Sequence, residues 1–193
     1  MIVNIRGCNG SGKTTIVREF IKYLPCEVLG EPKKPWGYRL DATGAGLARP
    51  IMVVGSYVNA CGGADGISNQ LEIAERTIQA SQFGHVLMEG LLVSKSSDKG
   101  VVAPMLKEHN AIFGFLDTPW DVCLERVLTR RAAAGNDKPF DPDKTMRSAY
   151  KGCHRSYELL TAFGCDTRWI PYKSAISTVT RWLRESELIT EEL

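Results

Sequence analysis

The sequence predicts an α/β fold, a central parallel sheet of five strands with helices on both faces. Three observations predict it. Short apolar runs of buried-strand length alternate along the chain with amphipathic helical stretches. A glycine-rich turn joins the first run to the first helix. At 193 residues, 44% hydrophobic and 24% charged, the chain suits one globular domain spanning 1–193.

The elements follow in order. Ile2 to Arg6 reads as a strand. Lys13 to Leu24 reads as a helix, with Ile16, Phe20 and Leu24 four apart on one face. Glu27 to Leu29 is a candidate second strand. Glu31 to Pro50, rich in Gly, Pro and charge, is expected to be loop. Pro50 to Tyr57 reads as a strand and Cys61 to Gly66 as a turn. A helix is expected from Ser68, its N-cap, to Phe83, with Leu71, Ala74 and Ile78 at helical spacing. His85 to Met88 and Ala111 to Leu116 read as buried strands, with a short helix over Val101 to His109 between them. Helices are expected over Asp121 to Ala134 and Asp143 to Phe163, then a last strand, Thr167 to Ile170, and a last helix, Ser174 to Glu187. Trp169 and Trp182 are expected in the core, and the three histidines in structural or surface positions.

Composition excludes several classes. No apolar run approaches the roughly 18 residues of a membrane span. MIVNIRGCNG lacks the basic start and long apolar stretch of a secretory signal, so none is expected. Six cysteines at irregular spacing, with no C-x-x-C pair, argue against a zinc site and for a reduced, cytoplasmic setting. A net charge of +2 permits nucleic acid as a partner without asking for it.

Gly7-Cys8-Asn9-Gly10-Ser11-Gly12-Lys13-Thr14 fits G-x-x-x-x-G-K-[ST] in full, between a strand and a helix. Such a loop wraps a polyphosphate with backbone N–H groups, and the helix N-terminus adds a positive dipole. Gly7, Asn9, Gly10, Ser11, Gly12, Lys13, Thr14 and Thr15 are therefore expected to hold ATP. Lys13 would reach the β- and γ-phosphates, and the Thr14 hydroxyl would bind Mg²⁺. The fold class sharpens to a three-layer P-loop kinase-like architecture, whose ligands bind at the carboxyl ends of the strands.

Val86-Leu87-Met88-Glu89-Gly90 ends an apolar strand in a carboxylate, which is expected to put Glu89 beside the Mg²⁺, directly or through water; a strand-ending carboxylate that caps a turn is the other account. Arg126, Arg130 and Arg131 are expected to offset charge on the transferring phosphoryl group from a small lid around 126–142. The other account of these arginines is a solvated basic helix end. Tyr172, after the last strand, either stacks on the nucleotide base or packs in the core. A hydroxyl acceptor also needs a base or orienting carboxylate. Asp65, Asp41 and Glu31 are the candidates, with Asp65 in a glycine turn open to a substrate.

The Glu89-Gly90 pair resembles small-molecule P-loop kinases such as uridine kinase. Glu31-Pro32 with Trp36 is similar to the E-P segment of deoxynucleoside kinases. The D/E-R-S motif of those enzymes is absent, since Leu91-Leu92-Val93 stands there. Gly55 to Ser68 matches a G-x-Y-x-x-x-C-G-G-x-D segment. With IVNIRG before the P-loop and Glu89 to Ser94, it resembles the bacteriophage P-loop kinases of DNA hypermodification, the 5-hydroxymethyluracil DNA kinases. The resemblance runs from residue 1 to about 131. Ala64 stands where that pattern often has another cysteine.

The resemblance implies phosphorylation of the hydroxymethyl group of a modified pyrimidine in phage DNA, with ATP and Mg²⁺, in the host cytoplasm. The product would carry a good leaving group for later replacement. It also implies that Asp65 orients or deprotonates the hydroxyl, and that Glu31, Tyr57, Gly62, Gly63 and Asp65 form the substrate side. Lys33, Lys34, Arg39 and Lys138 are candidates to grip a DNA backbone. So are Lys144, Arg147, Lys151 and Arg155, which form a stripe at helical spacing; a solvated helix face is the other account of that stripe. Two further functions remain open. One is a kinase of free nucleosides or nucleotides, whose binding would not be salt-sensitive in the manner of DNA binding. The other is a nucleotide-binding regulatory protein.

Overall fold

The computed structural model describes residues 1–59, 62–64, 67, 69–90 and 102–191. Seven strands form one sheet among them: β1 (Ile2–Arg6), β2 (Cys26–Glu31), β3 (Lys34–Leu40), β4 (Ile51–Val54), β5 (His85–Glu89), β6 (Ala111–Leu116) and β7 (Asp166–Ile170). Their spatial order is β2-β3-β4-β5-β1-β6-β7. From β4 to β7 the five strands run parallel, as the sequence predicts. The helices are α1 (Lys13–Tyr23), α2 (Gln70–Ser81), α3 (Val102–Lys107), α4 (Trp120–Ala133), α5 (Ser148–Ala162) and α6 (Ala175–Glu191).

Alternation along the strands divides the core into two layers. Val3 and Ile5 of β1 face Ile16, Val17 and Phe20 of α1 and Val179, Trp182 and Leu183 of α6. Ile2 of β1 and Phe113 and Phe115 of β6 face the other way, toward Ile73 and Ala74 of α2, Leu106 of α3 and Leu160 of α5. This is the expected sandwich of helices on both sheet faces.

The sheet departs from expectation on one side. Residues 31–50 are not all loop, because β3 occupies 34–40 and pairs antiparallel with both β2 and β4. The residues that suggested a loop have strand-specific reasons. A Cβ on Gly37 would lie 2.4 Å from the Val53 carbonyl oxygen, so only glycine allows that close approach. Pro35, with no N–H to give, stands opposite Gly30 where the β2–β3 register shifts.

Four smaller differences concern helices and one tryptophan. The N-cap of α2 is Asn69, whose Oδ1 accepts the Leu71 N–H at 3.0 Å; Ser68 lies outside the described residues. The buried stripe of α2 is Ile73, Ala74, Thr77 and Ala80, while Leu71 is exposed. The helix expected from Asp143 begins with a wide turn at 143–147 and then continues as α5. Trp182 is buried as expected, but Trp169 is 36% exposed.

At the end of the sheet away from the P-loop, Glu187 of α6 accepts the N–H groups of Ala48 and Arg49, both at 2.9 Å, and bonds the buried His85 Nε2 at 2.8 Å. That carboxylate ties the last helix to the start of β4 and β5. No helix among the described residues is long and apolar enough to cross a membrane.

Candidate active site

The glycine-rich loop leaves β1 and enters α1 at the carboxyl edge of the sheet. Gly12, the N-cap residue, has φ +103°, and Gly10 has φ +80°. Side chains rarely adopt such angles. Space also demands glycine at position 10, where a Cβ would meet the Cys123 carbonyl oxygen at 2.3 Å. The start of α4 therefore forms the back wall of the loop. Thr118 Oγ1 supports it further by donating to the Ser11 carbonyl at 2.8 Å. An α-helix leaves its first N–H groups without intrahelical acceptors, so the α1 terminus offers donors to an anion.

Lys13 folds back over the loop, and its Nζ donates to the Gly7 and Cys8 carbonyls at 2.9 and 3.0 Å. These are weak neutral acceptors for an ammonium group, and a phosphate oxygen would replace them favourably. Cys8 touches Cys123, sulfur to sulfur, at 3.3 Å. That contact pulls the Cys8 thiol below its ordinary value; burial opposes the shift and the Lys13 charge assists it.

A cleft of about 1160 Å³ opens over the loop. Its walls include Asn9 to Thr15, Arg18, Gly62, Glu89, Arg126, Arg130 and Tyr172, with 173–177 behind. Glu89 ends β5, level with Ile5 of β1, and is 2% exposed. Gly63 lies directly against it: φ is +113°, and a Cβ there would sit 2.9 Å from Glu89 Cγ. Two backbone bonds with Ser56 hold Gly63 in place, at 2.7 and 3.3 Å. Gly63 thus meets the side chain that ends β5, although 26 positions in the chain separate it from Glu89.

Arg126 reaches the loop from α4. Its Nη1 donates to the Gly10 and Ser11 carbonyls at 3.3 Å each, and its guanidinium lies 5.9 Å from the centre of the Tyr172 ring. Tyr172 is fixed by its own N–H, which donates to Asp117 Oδ1 at 2.6 Å. Tyr172 lines the cleft and also packs, half-buried, against the core. Arg130 lines it too. Arg131 does not: it donates to the Asn136 and Lys138 carbonyls and stacks 4.6 Å from the Phe140 ring, shaping the 134–142 segment.

Other expected residues lie apart from the cleft walls. Tyr57 is buried against Tyr38, whose hydroxyl accepts the Tyr57 N–H at 3.2 Å. Glu31 is exposed at the end of the β2–β3 hairpin. Asp41 caps a short turn, its Oδ1 accepting from the N–H and hydroxyl of Thr43 at 3.0 and 2.8 Å, which holds its carboxyl below the usual range. Asp65 lies outside the described residues, as do Cys61, Gly66 and 91–101.

Arg18 was not singled out in the sequence. It lines the cleft and donates to the Tyr57 carbonyl at 3.1 Å and to that of Asn59, tying the 55–59 segment to α1. Its position four residues after Thr14, opposite the apolar stripe of α1, was the available signal. Ser174 and Ser177 also line the cleft, and nothing in their local sequence marks them.

The sheet order, the loop and the cleft define a P-loop kinase. Comparison with known proteins adds the family. The chain is 33% identical over 171 residues to the 5-hmdU DNA kinase of Pseudomonas phage PaMx11, covering 84% of this chain and 86% of that protein. It is 29% identical over 192 residues to the 5-hmdU DNA kinase of Pseudomonas phage M6, covering 92% and 94%. The chain belongs to the 5-hmdU DNA kinase family. No protein-family model matches it. Among solved structures, deoxyadenosine kinase from M. mycoides with bound dATP aligns with a TM-score of 0.40 at 11% identity, over 95% of this chain and 99% of that one.

Proposed function

We propose that the protein transfers the γ-phosphoryl group of ATP to the hydroxymethyl oxygen of 5-hydroxymethyluracil in DNA, in the cytoplasm of an infected host. The observation that carries this reading is the seating of Gly63 against Glu89 at the edge of the nucleotide cleft. It joins the segment characteristic of the family to the end of the strand that flanks the phosphate loop. Family membership supports the acceptor.

In the reaction, the hydroxymethyl oxygen attacks the γ-phosphorus, and the bond from that phosphorus to the β,γ-bridging oxygen breaks. ADP leaves with the bond electrons, and the hydroxyl proton passes to a carboxylate. Asp65 is proposed for that proton on the family pattern. Lys13 exchanges its two carbonyl partners for phosphate oxygens. Arg126 and Arg130 enter the same cleft and are proposed to offset charge on the equatorial oxygens. Arg131 is proposed to act only through the 134–142 segment it holds, which is part of the candidate lid around 126–142. The Tyr172 ring provides a surface for the nucleotide base.

Thr14 and Glu89 bring a hydroxyl and a carboxylate into one cleft with Lys13, a hard oxygen donor set that fits Mg²⁺. Held by these residues, Mg²⁺ would neutralise charge that develops during the transfer. Gly63 brings backbone alone against Glu89.

The test uses γ-labelled ATP and Mg²⁺ with three acceptors: 5-hydroxymethyluracil DNA, the free nucleoside or its monophosphate, and unmodified DNA. Label in the modified DNA, lost in Lys13→Ala, is the expected result. Label in the free nucleoside or nucleotide alone would refute the DNA reading.

A further inference from the structure

A second pocket, of about 190 Å³, lies behind the P-loop on the α5 side of the sheet. Tyr150, His154 and Trp169 form its aromatic wall, with Cys8, Cys153 and Asp117 around them. The rings make a continuous ladder. Trp120 meets Tyr150 edge to face at 5.6 Å, Tyr150 meets His154 at 5.3 Å, and His154 meets Trp169 at 5.1 Å. Trp169 stacks on Tyr157 at 4.7 Å, so its plane is fixed although the residue is 36% exposed.

Beside this ladder, the same helical segment carries Lys144, Arg147, Lys151 and Arg155, all exposed. At 100° per residue these four lie opposite the buried Met146, Ser156 and Leu160, while Tyr150 and His154 lie to one side of them. Arg147 links the two stripes, with its guanidinium 5.0 Å from the centre of the Trp120 ring. The counter-charges are Asp141, whose Oδ1 accepts the Lys144 N–H at 3.1 Å, Asp143, which pairs with Arg147 at 2.5 Å on the exposed surface, and Glu158 at the far end. An exposed pair of that kind is weak and gives way to a phosphate.

We propose that this surface binds an unpaired stretch of the DNA strand, one base stacking in the pocket of Tyr150, His154 and Trp169 and the backbone phosphates lying on Lys144, Arg147, Lys151 and Arg155. The inference rests on the reading of DNA as the acceptor. The chemistry divides the ligand unambiguously. A pocket of rings, thiols and a carboxylate rejects a phosphate and accepts a neutral planar base. The basic stripe does the reverse. Stacked rings beside a cationic track are what binds single strands without strong sequence preference. A base taken out of a duplex leaves such an unpaired stretch beside it. Asp117 connects this surface to the nucleotide cleft, since it lines the pocket and holds the Tyr172 N–H.

The experiment measures binding of a fluorescently labelled, unmodified oligothymidylate to the full chain by anisotropy, as a function of salt. Labelled-phosphate transfer to 5-hydroxymethyluracil DNA and binding of a fluorescent ATP analogue are followed in parallel. The double variant Lys151→Glu/Arg155→Glu is expected to weaken oligonucleotide binding at least about tenfold and to lower the salt slope by about 2. Trp169→Ala is expected to weaken it about tenfold. ATP-analogue binding is expected to stay at the wild-type level in both. The charge variant keeps the test valid if Trp169→Ala does not fold. If wild type phosphorylates the modified DNA while both variants bind the oligonucleotide normally, this surface is refuted and the acceptor reading stands. If wild type neither binds the oligonucleotide nor labels the DNA, the acceptor reading fails and this proposal falls with it.

Discussion

Gly63→Ala is the substitution that most directly tests how the site is assembled. It acts in two ways that separate experimentally. The first is backbone strain: at φ +113° a side chain costs on the order of 1–3 kcal/mol of stability. The second is displacement. The new Cβ would stand 2.9 Å from Glu89 Cγ and 3.1 Å from Oε1, where ordinary contact begins at 3.4 Å. Gly63 is held by its bonds to Ser56, and Glu89 is 2% exposed at the end of a paired strand, so neither yields easily. A shift of about half an ångström in the Glu89 carboxylate is expected to lower turnover about tenfold, since an error near 1 Å costs about a hundredfold. Gly164→Ala is the control. Its φ of +76° imposes a similar strain, but its nearest neighbour is the flexible Lys107 Nζ at 3.0 Å, outside the cleft. Thermal unfolding and phosphoryl transfer at saturating ATP would be measured on both. The expected result is a comparable loss of stability in both and a loss of turnover in Gly63→Ala alone. Wild-type turnover in Gly63→Ala would refute the argument that this glycine positions Glu89.

The other predictions concern the arginines and the far end of the sheet. Arg126→Ala removes the guanidinium between the loop carbonyls and Tyr172, and turnover is expected to fall about a hundredfold. Arg131→Ala, whose partners are the 134–142 carbonyls and Phe140, is expected to change turnover by no more than severalfold; a hundredfold loss there would reverse the assignment. Burial pushes His85 below its ordinary value against the pull of Glu187, with the Met1 amino group and Arg49 adding to the fall. Burial would raise Glu187, but its bonds from Ala48, His85 and Arg49 outweigh that and lower it. Both folded values lie below the unfolded ones, so both groups stabilise at higher pH. The His85 contribution is complete above about 6.5 and is lost as pH falls from there toward its folded value. That of Glu187 is complete above about 4.3 and is lost below it. Glu187→Gln is expected to cost about 1–3 kcal/mol near neutrality and to abolish the lower step, as measured by denaturant unfolding across the acid range.

Much of the fold was legible because its signals are local. The strand, glycine loop and helix at residues 2–23 follow from side-chain period and from dihedrals that only glycine adopts. Five parallel strands follow from apolar runs too short to be helices. β3 was not legible, because Gly37 and Pro35 carry the composition of a loop while serving a close approach to Val53 and a register shift. Those reasons exist only once β2 and β4 stand beside it. Trp169 is a similar case: its residue type suggests core, but it stands on the edge strand of the sheet and stays 36% exposed.

The candidate site divides along the same line. Sequence by itself determined the phosphate loop, the carboxylate at the end of β5 and the family segment, since each is a contiguous pattern tied to one local geometry. Tertiary structure alone decided which of them meet. It put Gly63 on Glu89, brought Arg126 but not Arg131 to the loop, recruited Arg18, and left Tyr57 in the core and Glu31 at an exposed hairpin. Arg130 and Arg131 are adjacent and look alike in sequence, yet they point about 100° apart, and only the packing of that helix against the loop selects which one faces the cleft.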